Sequence, residues 1–192
     1  LPFSILDTGN RIGEGAWALF PGGVEVTEKP YQHDAAVART ASLMAGDVPA
    51  IFEAAFEYDK VRIRVDVLAR LDDGWGLREV KSSTSASEDK GHVDDVAVQL
   101  YVLQGAGVDI TSVELIHVNN QYVFDGGDIA WSEMLLRRDL TMEARDRLPQ
   151  VAAKIPELFG VLGLDSAPEV YATKSLCSKP WRCDYFDSCM AA

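Results

Sequence analysis

Residues 51–82 constrain the fold most tightly. They hold three apolar–polar alternating runs, at 51–58, 61–71 and 75–82, separated by Asp59-Lys60 and Asp73-Gly74. Period-two runs with such short breaks read as strands joined in antiparallel hairpins, and Asp-Gly is a favoured two-residue hairpin turn. Helical patterns surround this centre. Asp7-Thr8 is placed to cap a first helix reaching about residue 19, where Pro21-Gly22-Gly23 stops it. A second helix is predicted over 34–44, closed by Gly46 and Pro49, and a third over 93–104, ended by Gly105. Residues 110–118 read as a fourth strand and 121–124 as a short one. Residues 131–162 read as mostly helical, with interruptions at Pro149 and Pro156. Residues 167–192 read as irregular. The order predicts an α/β sandwich built on a mixed sheet flanked by helices.

With 192 residues the chain suits one domain with its own core. It has no apolar run long enough to span a bilayer, so no membrane partner is expected and a cytoplasmic location is. Leu1 stands where a Met would, and no basic stretch precedes an apolar one. The expectation is therefore no signal peptide and a fragment of a longer chain. The formal net charge of −12 argues against a surface that binds nucleic acid everywhere, because phosphate affinity comes from Lys and Arg. It leaves room for a local site where a divalent cation neutralises clustered acids.

Register decides what the hairpins display. With Asp73-Gly74 as a two-residue turn, Asp66 lies opposite Lys81 and Leu68 opposite Glu79. Opposite residues share a face, as do residues two apart. Asp66, Glu79 and Lys81 then point to one side, with the two carboxylates roughly 7–8 Å apart at Cα. With Asp59-Lys60 as the other turn, Glu53 sits opposite Asp66, and Arg62 and Arg64 join the same face. Phe52, Phe56, Tyr58, Val61, Ile63, Val65, Val67 and Val80 fall on the other, apolar face. A slip of one residue in either turn would break the constellation.

Two carboxylates at that spacing suit a hard divalent cation, Mg²⁺ or Mn²⁺, which takes oxygen ligands and keeps several waters. Asp66 and Glu79 would supply two oxygens and the Val80 backbone carbonyl another. Glu53 would complete the shell or hold a second ion. Metal-bound water is a better nucleophile, and the cation stabilises charge on phosphate oxygens. Lys81 would orient or deprotonate that water, or offset charge in the transition state. The plainer reading is a cross-strand ion pair between Asp66 and Lys81 on a solvated sheet face.

The run Arg64-Val65-Asp66-Val67, then Glu79-Val80-Lys81 with Ser82-Ser83, then a helix carrying Gln99, resembles the RecB-like nuclease family of the PD-(D/E)XK superfamily. With Leu19-Phe20-Pro21-Gly22-Gly23 and the Cys-bearing tail, it looks like a bacterial branch related to CRISPR-associated RecB-like exonucleases. The resemblance implies a restriction-endonuclease-like core. It implies Asp66 and Glu79 as metal ligands, Lys81 as catalytic lysine and Gln99 as a positioning residue. His92, Asp95 and Gln99 share a stripe that the helix would present to the site. Two features depart from the family. Tyr101 follows Gln99 by only two residues, so it is read as core. No His stands on the first helix, where Glu14 is the candidate for that ligand role. His33 and His117 are read as structural.

The resemblance also places Cys177, Cys183 and Cys189, in the 167–192 tail, beside the iron–sulfur latch of these relatives. That latch uses four thiolates for a [4Fe–4S] cluster. A fourth could lie upstream of Leu1; three thiolates with an external ligand, a zinc site, three reduced thiols or one disulfide are the alternatives. The implied activity is DNA hydrolysis, most naturally exonucleolytic, on single strands or duplex ends, with a helicase or other repair or defence protein as partner. The alternative is an inactive nuclease-fold module that binds protein or nucleic acid.

Overall fold

The computed structural model describes residues 5–84, 91–166, 177–178 and 182–191. Its elements are α1 (Ile5–Ala16), β1 (Val24–Glu25), α2 (His33–Met44), β2 (Ala50–Tyr58), β3 (Val61–Leu71) and β4 (Gly74–Lys81). They continue with α3 (His92–Gly105), β5 (Ile110–Val118), α4 (Trp131–Met134), β6 (Leu135–Asp139), α5 (Thr141–Leu162) and α6 (Phe186–Ala191). The six strands form one mixed sheet in chain order. Strands β2, β3 and β4 pair antiparallel, as do β5 and β6; β1–β2 and β4–β5 are parallel. The parallel pairs need crossovers, which α2 and α3 provide. This is the α/β sandwich expected.

Two compact units divide the chain, Leu1–Val151 and Ala152–Ala192. The first holds the whole sheet. Its main core joins Ala36 and Leu43 of α2 and Val93, Val96, Leu100 and Leu103 of α3 to Ile51, Leu68, Leu77, Val113 and Leu115 of the sheet. Ile12 and Ala16 of α1 pack with Ile116 and Leu135 in a second cluster. The sheet is therefore covered on both faces, as expected of a sheet flanked by helices, and the solvated face of the plainer ion-pair reading is not found. The second unit takes in the short helix α6. Most of its residues from 167 onward lie outside the described ones.

The first hairpin turns as expected at Asp59-Lys60, both at positive φ (49° and 63°), with Tyr58 opposite Val61. The second turn differs: Leu71 pairs with Gly74, so Asp72-Asp73 make the turn. Gly74 is needed for another reason. It sits at φ 146°, and a Cβ there would lie 2.8 Å from the Asp109 carbonyl oxygen, which accepts a hydrogen bond from the Trp75 N–H at 2.9 Å. The glycine lets the start of β5 approach and is drawn into the strand. Each residue of β4 shifts by two partners, which preserves the side-chain parity.

Other expectations need correction. Helix α1 already includes Ile5 and Leu6, so Asp7 lies within the helix rather than at its cap. It ends at Ala16, and a 3₁₀ turn carries the chain over Trp17–Leu19. Residues 121–124, all described, form no strand. The last strand is β6, inside the segment read as helical. Its Leu-Leu-Arg start supplies a ladder partner to β5, and sheet pairing overrides local helical preference. Helix α5 runs unbroken through Pro149 and Pro156. Its start is fixed by Asp139, whose Oδ1 accepts hydrogen bonds from the Thr141 N–H (2.8 Å) and hydroxyl (2.6 Å). Those bonds hold the Asp139 carboxyl below its ordinary range.

One buried charge network lies away from the hairpin motif. Arg78 is 4 % exposed; its Nε meets Glu114 Oε2 at 2.9 Å, and Arg137 closes on the same carboxylate at 3.6 Å. It ties β4, β5 and β6 together.

Candidate active site

The ladder between β2 and β3 is interrupted at one place, opposite Asp66. Ile51 pairs with Leu68 and Phe52 with Val67; pairing resumes at Ala54 and Val65. Glu53 lies between, at φ 55°. The apolar faces exchange across this point. Phe52 and Val67 pack with Trp17, Phe20 and Val80, whereas Phe56, Ile63 and Val65 belong to the core under α2 and α3. Strand alternation is thus broken in both strands at once, at the pair of acids. The expected juxtaposition of Glu53 and Asp66 holds in register; the expected uniform face does not.

A side chain with a Cβ is disfavoured at φ 55° by roughly 1–2 kcal/mol. The Arg64 guanidinium holds the distortion from outside, donating from Nη1 to the Glu53 carbonyl (3.0 Å) and from Nη2 to the Glu28 carbonyl (2.7 Å). Glu53→Gly should therefore be more stable than Glu53→Ala by about 1 kcal/mol, since both lose the carboxylate and only glycine adopts this backbone freely. Urea unfolding of the two variants checks this. An alanine variant as stable as the glycine one would mean that the backbone there is relaxed.

Pairing of β3 with β4 runs from Leu71–Gly74 to Val67–Arg78 and stops. At the next position Asp66 replaces the backbone ladder with its side chain: the Val80 N–H donates to Asp66 Oδ2 at 2.7 Å. The strands part there, and the carboxylate fills the fork. Glu79 follows on β4 and is 6 % exposed. Its Oε1 receives Lys81 Nζ at 2.6 Å and its Oε2 the Gln99 Nε2–H at 2.7 Å. Lys81 Nζ also reaches Asp95 Oδ2 at 2.5 Å. Asp66, Glu79, Lys81 and Gln99, nominated from sequence, are thus brought together around the parting of β3 and β4. The Asp66–Lys81 cross-strand pair is replaced by Lys81–Glu79 and Lys81–Asp95.

Beside this fork opens a cleft of about 560 Å³. Gly9, Asn10, Gly13, Glu14 and Trp17 line it from α1 and the turn after it, and Glu25 to Pro30 from the end of β1 and the segment beyond. Glu53, Arg64, Asp66, Glu79, Val80, Lys81 and Ser82 line it from the sheet. Glu14 and Glu53, the two supplementary ligand candidates, both face it. Arg62 does not: its Nε donates to Glu57 Oε2 at 2.8 Å on the outer part of the hairpin. Sequence reading missed Glu25 and Glu28. Their only signal is the Val24-Glu25-Val26 alternation after Gly22-Gly23, which seats a two-residue strand against β2.

The electrostatics are those of an acid-rich site. Six carboxylates line the cleft (Glu14, Glu25, Glu28, Glu53, Asp66, Glu79) against three cations (Lys29, Arg64, Lys81). Burial, then the charge of Glu79, push the Asp66 carboxyl up to about 8, although the Val80 N–H works the other way. Burial also raises Glu79, against Lys81 and Gln99, which favour its charged form. Glu53 is raised by burial and lowered in part by Arg64. Burial tends to lower the Lys81 ammonium, but Glu79 and the hydrogen bond to Asp95 outweigh it, and the group stands above its ordinary value.

These residues fit a hard divalent cation. Burial raises both carboxyls, so a nearby cation would stabilise their charged forms, and Asp66 and Glu79 offer the oxygen donors Mg²⁺ or Mn²⁺ prefers. Among the described residues no three His, Cys, Asp or Glu side chains form a ready-made cage. The donor set is a carboxylate pair, and Mg²⁺ commonly binds through one or two carboxylates with water completing its shell.

Tyr101 packs against the main core as read, with its hydroxyl donating to Asp59 Oδ2 at 3.2 Å. His33 is buried, 3.9 Å from Glu57. His117 lies on β5, its Nδ1 3.3 Å from the Val118 carbonyl. In the second unit Cys177 and Cys183 are free, and the Cys183 N–H donates to the Cys177 carbonyl at 2.7 Å. Cys189 falls on α6; its side chain lies outside the described residues. Among the described residues no helix is long and apolar enough to cross a membrane.

No protein-family model matches the chain, and no curated protein matches it either. Among solved structures it is similar to one described as "Crystal structure of SSO0001", at 12 % identity and a TM-score of 0.31. The match covers 74 % of this chain and 65 % of that one.

Proposed function

We propose that the chain is a Mg²⁺- or Mn²⁺-dependent nuclease that hydrolyses phosphodiester bonds in DNA, most naturally from ends. The observation that carries this reading is the fork itself. Asp66 and Glu79 are half-buried and buried carboxylates on adjoining strands where those strands separate, with Lys81 two residues beyond Glu79 and an open cleft beside them. The sequence resemblance to RecB-like nucleases points the same way.

Asp66 and Glu79 would hold the cation, with the Val80 carbonyl, Glu53 and Glu14 as further donors. When bound, the cation supplies Lewis-acid polarisation of the phosphate and a more acidic water. The chain's own groups set the geometry. The Val80 N–H fixes Asp66, and Gln99 fixes Glu79 from the helix side. Lys81 carries its proton, being held between two carboxylates, so its role is to donate a hydrogen bond and offset negative charge on the reacting phosphate. It does not serve as a base. The [4Fe–4S] or zinc reading of Cys177, Cys183 and Cys189 stands as part of the same proposal.

The test is cleavage of end-labelled single- and double-stranded DNA with Mn²⁺ or Mg²⁺, beside a chelator control. Metal-dependent cutting is expected. A folded protein that binds Mn²⁺ but cuts no DNA or RNA form would move the assignment to a non-catalytic nuclease-fold module.

A further inference from the structure

We propose that Asp95 is a positioning residue for Lys81, an inference that rests on the nuclease reading above. Helix α3 grips β4 at two points. Asp95 meets Lys81 at 2.5 Å, and Gln99, four residues on, meets Glu79, two residues back, at 2.7 Å. Four residues of helix rise about 6 Å. Two residues of strand rise about 6.6 Å. The spacings match, so one straight helix engages both motif side chains without bending either element.

The two grips have different tasks. Both oxygens of Glu79 are already engaged, one by Lys81 and one by Gln99. Any cation drawn to Glu79 competes with the Lys81 ammonium for that carboxylate. A lysine anchored by Glu79 alone would then lose its place when the site is loaded. Asp95 gives Lys81 a second anchor on a different element, and Gln99 gives Glu79 one. Asp95 is not part of the cleft wall, and its side chain is 44 % exposed, so it acts through Lys81 rather than on substrate. As an ordinary exposed ion pair it would contribute almost nothing to stability and nothing to turnover.

Steady-state cleavage of labelled DNA with Mn²⁺ separates these roles. Asp95→Ala should lower kcat by about 10–100-fold, the usual cost of losing a partner that orients a site residue, while KM stays put. Asp95→Asn, which keeps an acceptor oxygen in place, should recover most of that loss. Added to Lys81→Ala, Asp95→Ala should cost nothing more, because its effect runs through the lysine. The thermal shifts of the two single variants and the double variant provide a second cycle, readable without activity, and should be non-additive. An unchanged kcat in Asp95→Ala, additive effects in either cycle, or a loss expressed only in KM would overturn the role. A wild type that cleaves nothing removes the nuclease reading and this role with it, whereas an active wild type beside an equally active Asp95→Ala removes this role alone.

Discussion

Lys81→Ala should leave a folded protein that retains only a small fraction of its DNA cleavage. The side chain contributes one ammonium, shared by Glu79 and Asp95 and facing the cleft. On the nuclease reading, its loss removes the donor proposed to meet charge developing on a phosphate, an effect worth about 10²–10³-fold in kcat for a single such donor. The local fold tolerates the change. Glu79 retains Gln99, and burial already raises its pKa, so it can take up a proton instead of remaining an unpaired buried charge. The melting temperature should fall by only a few degrees, on the order of 1 kcal/mol. Cleavage rates and thermal melts on the same preparations check both halves. Undiminished metal-dependent cutting by the variant would remove Lys81 from the mechanism and reopen the assignment of the whole hairpin.

Asp66→Asn should abolish cleavage and yet stabilise the metal-free protein at alkaline pH. The Asp66 carboxyl is raised from 3.8 to about 8. A group whose folded pKa is raised binds its proton more tightly in the folded state. Its contribution to stability is complete below the unfolded pKa and is lost as pH rises through the folded one. Metal-free wild type should therefore lose stability steadily between about pH 4 and pH 8, by a few kcal/mol. The asparagine of the variant cannot ionise, and its side-chain oxygen can still accept from Val80, so the slope should become shallower. It should not vanish, because Glu53 and Glu79 are shifted in the same direction. At pH 8, Mn²⁺ should restore stability to the wild type and not to Asp66→Asn. Denaturation midpoints across pH, with chelator and with Mn²⁺, measure all of this. Parallel pH slopes for the two proteins would show that Asp66 is not the buried titrating acid.

Much of this site is legible in the sequence because its signal is local and periodic. The runs around Asp59-Lys60 fix the register of β2 on β3 and put Glu53 beside Asp66. The second hairpin differs from its sequence reading by one residue in the turn, since Gly74 answers to the Asp109 backbone at the edge of another strand. The site survives that difference because side-chain direction depends on parity, which the shift leaves intact. The break in alternation at Glu53 is invisible in the sequence, since a glutamate at positive φ has no signature. Strand β6 reads as helix because its pairing with β5 is a tertiary choice. Glu25 and Glu28 escape notice because a two-residue strand carries almost no pattern. Asp95, by contrast, stands out as part of a helical stripe with Gln99, and only its partner on β4 needs the structure.

The carboxylate excess along the cleft also bears on how a polyanion arrives. Most DNA-binding surfaces attract their ligand over long distances, and added salt slows encounter. If DNA is the substrate, as proposed, its approach to an unloaded site is opposed by the cleft and by the −12 of the whole chain. Monovalent salt at low ionic strength should therefore speed association by screening that repulsion, until the usual loss of phosphate contacts takes over. Divalent ions would then act twice, at the reaction centre and as the gate charge that lets the strand come near.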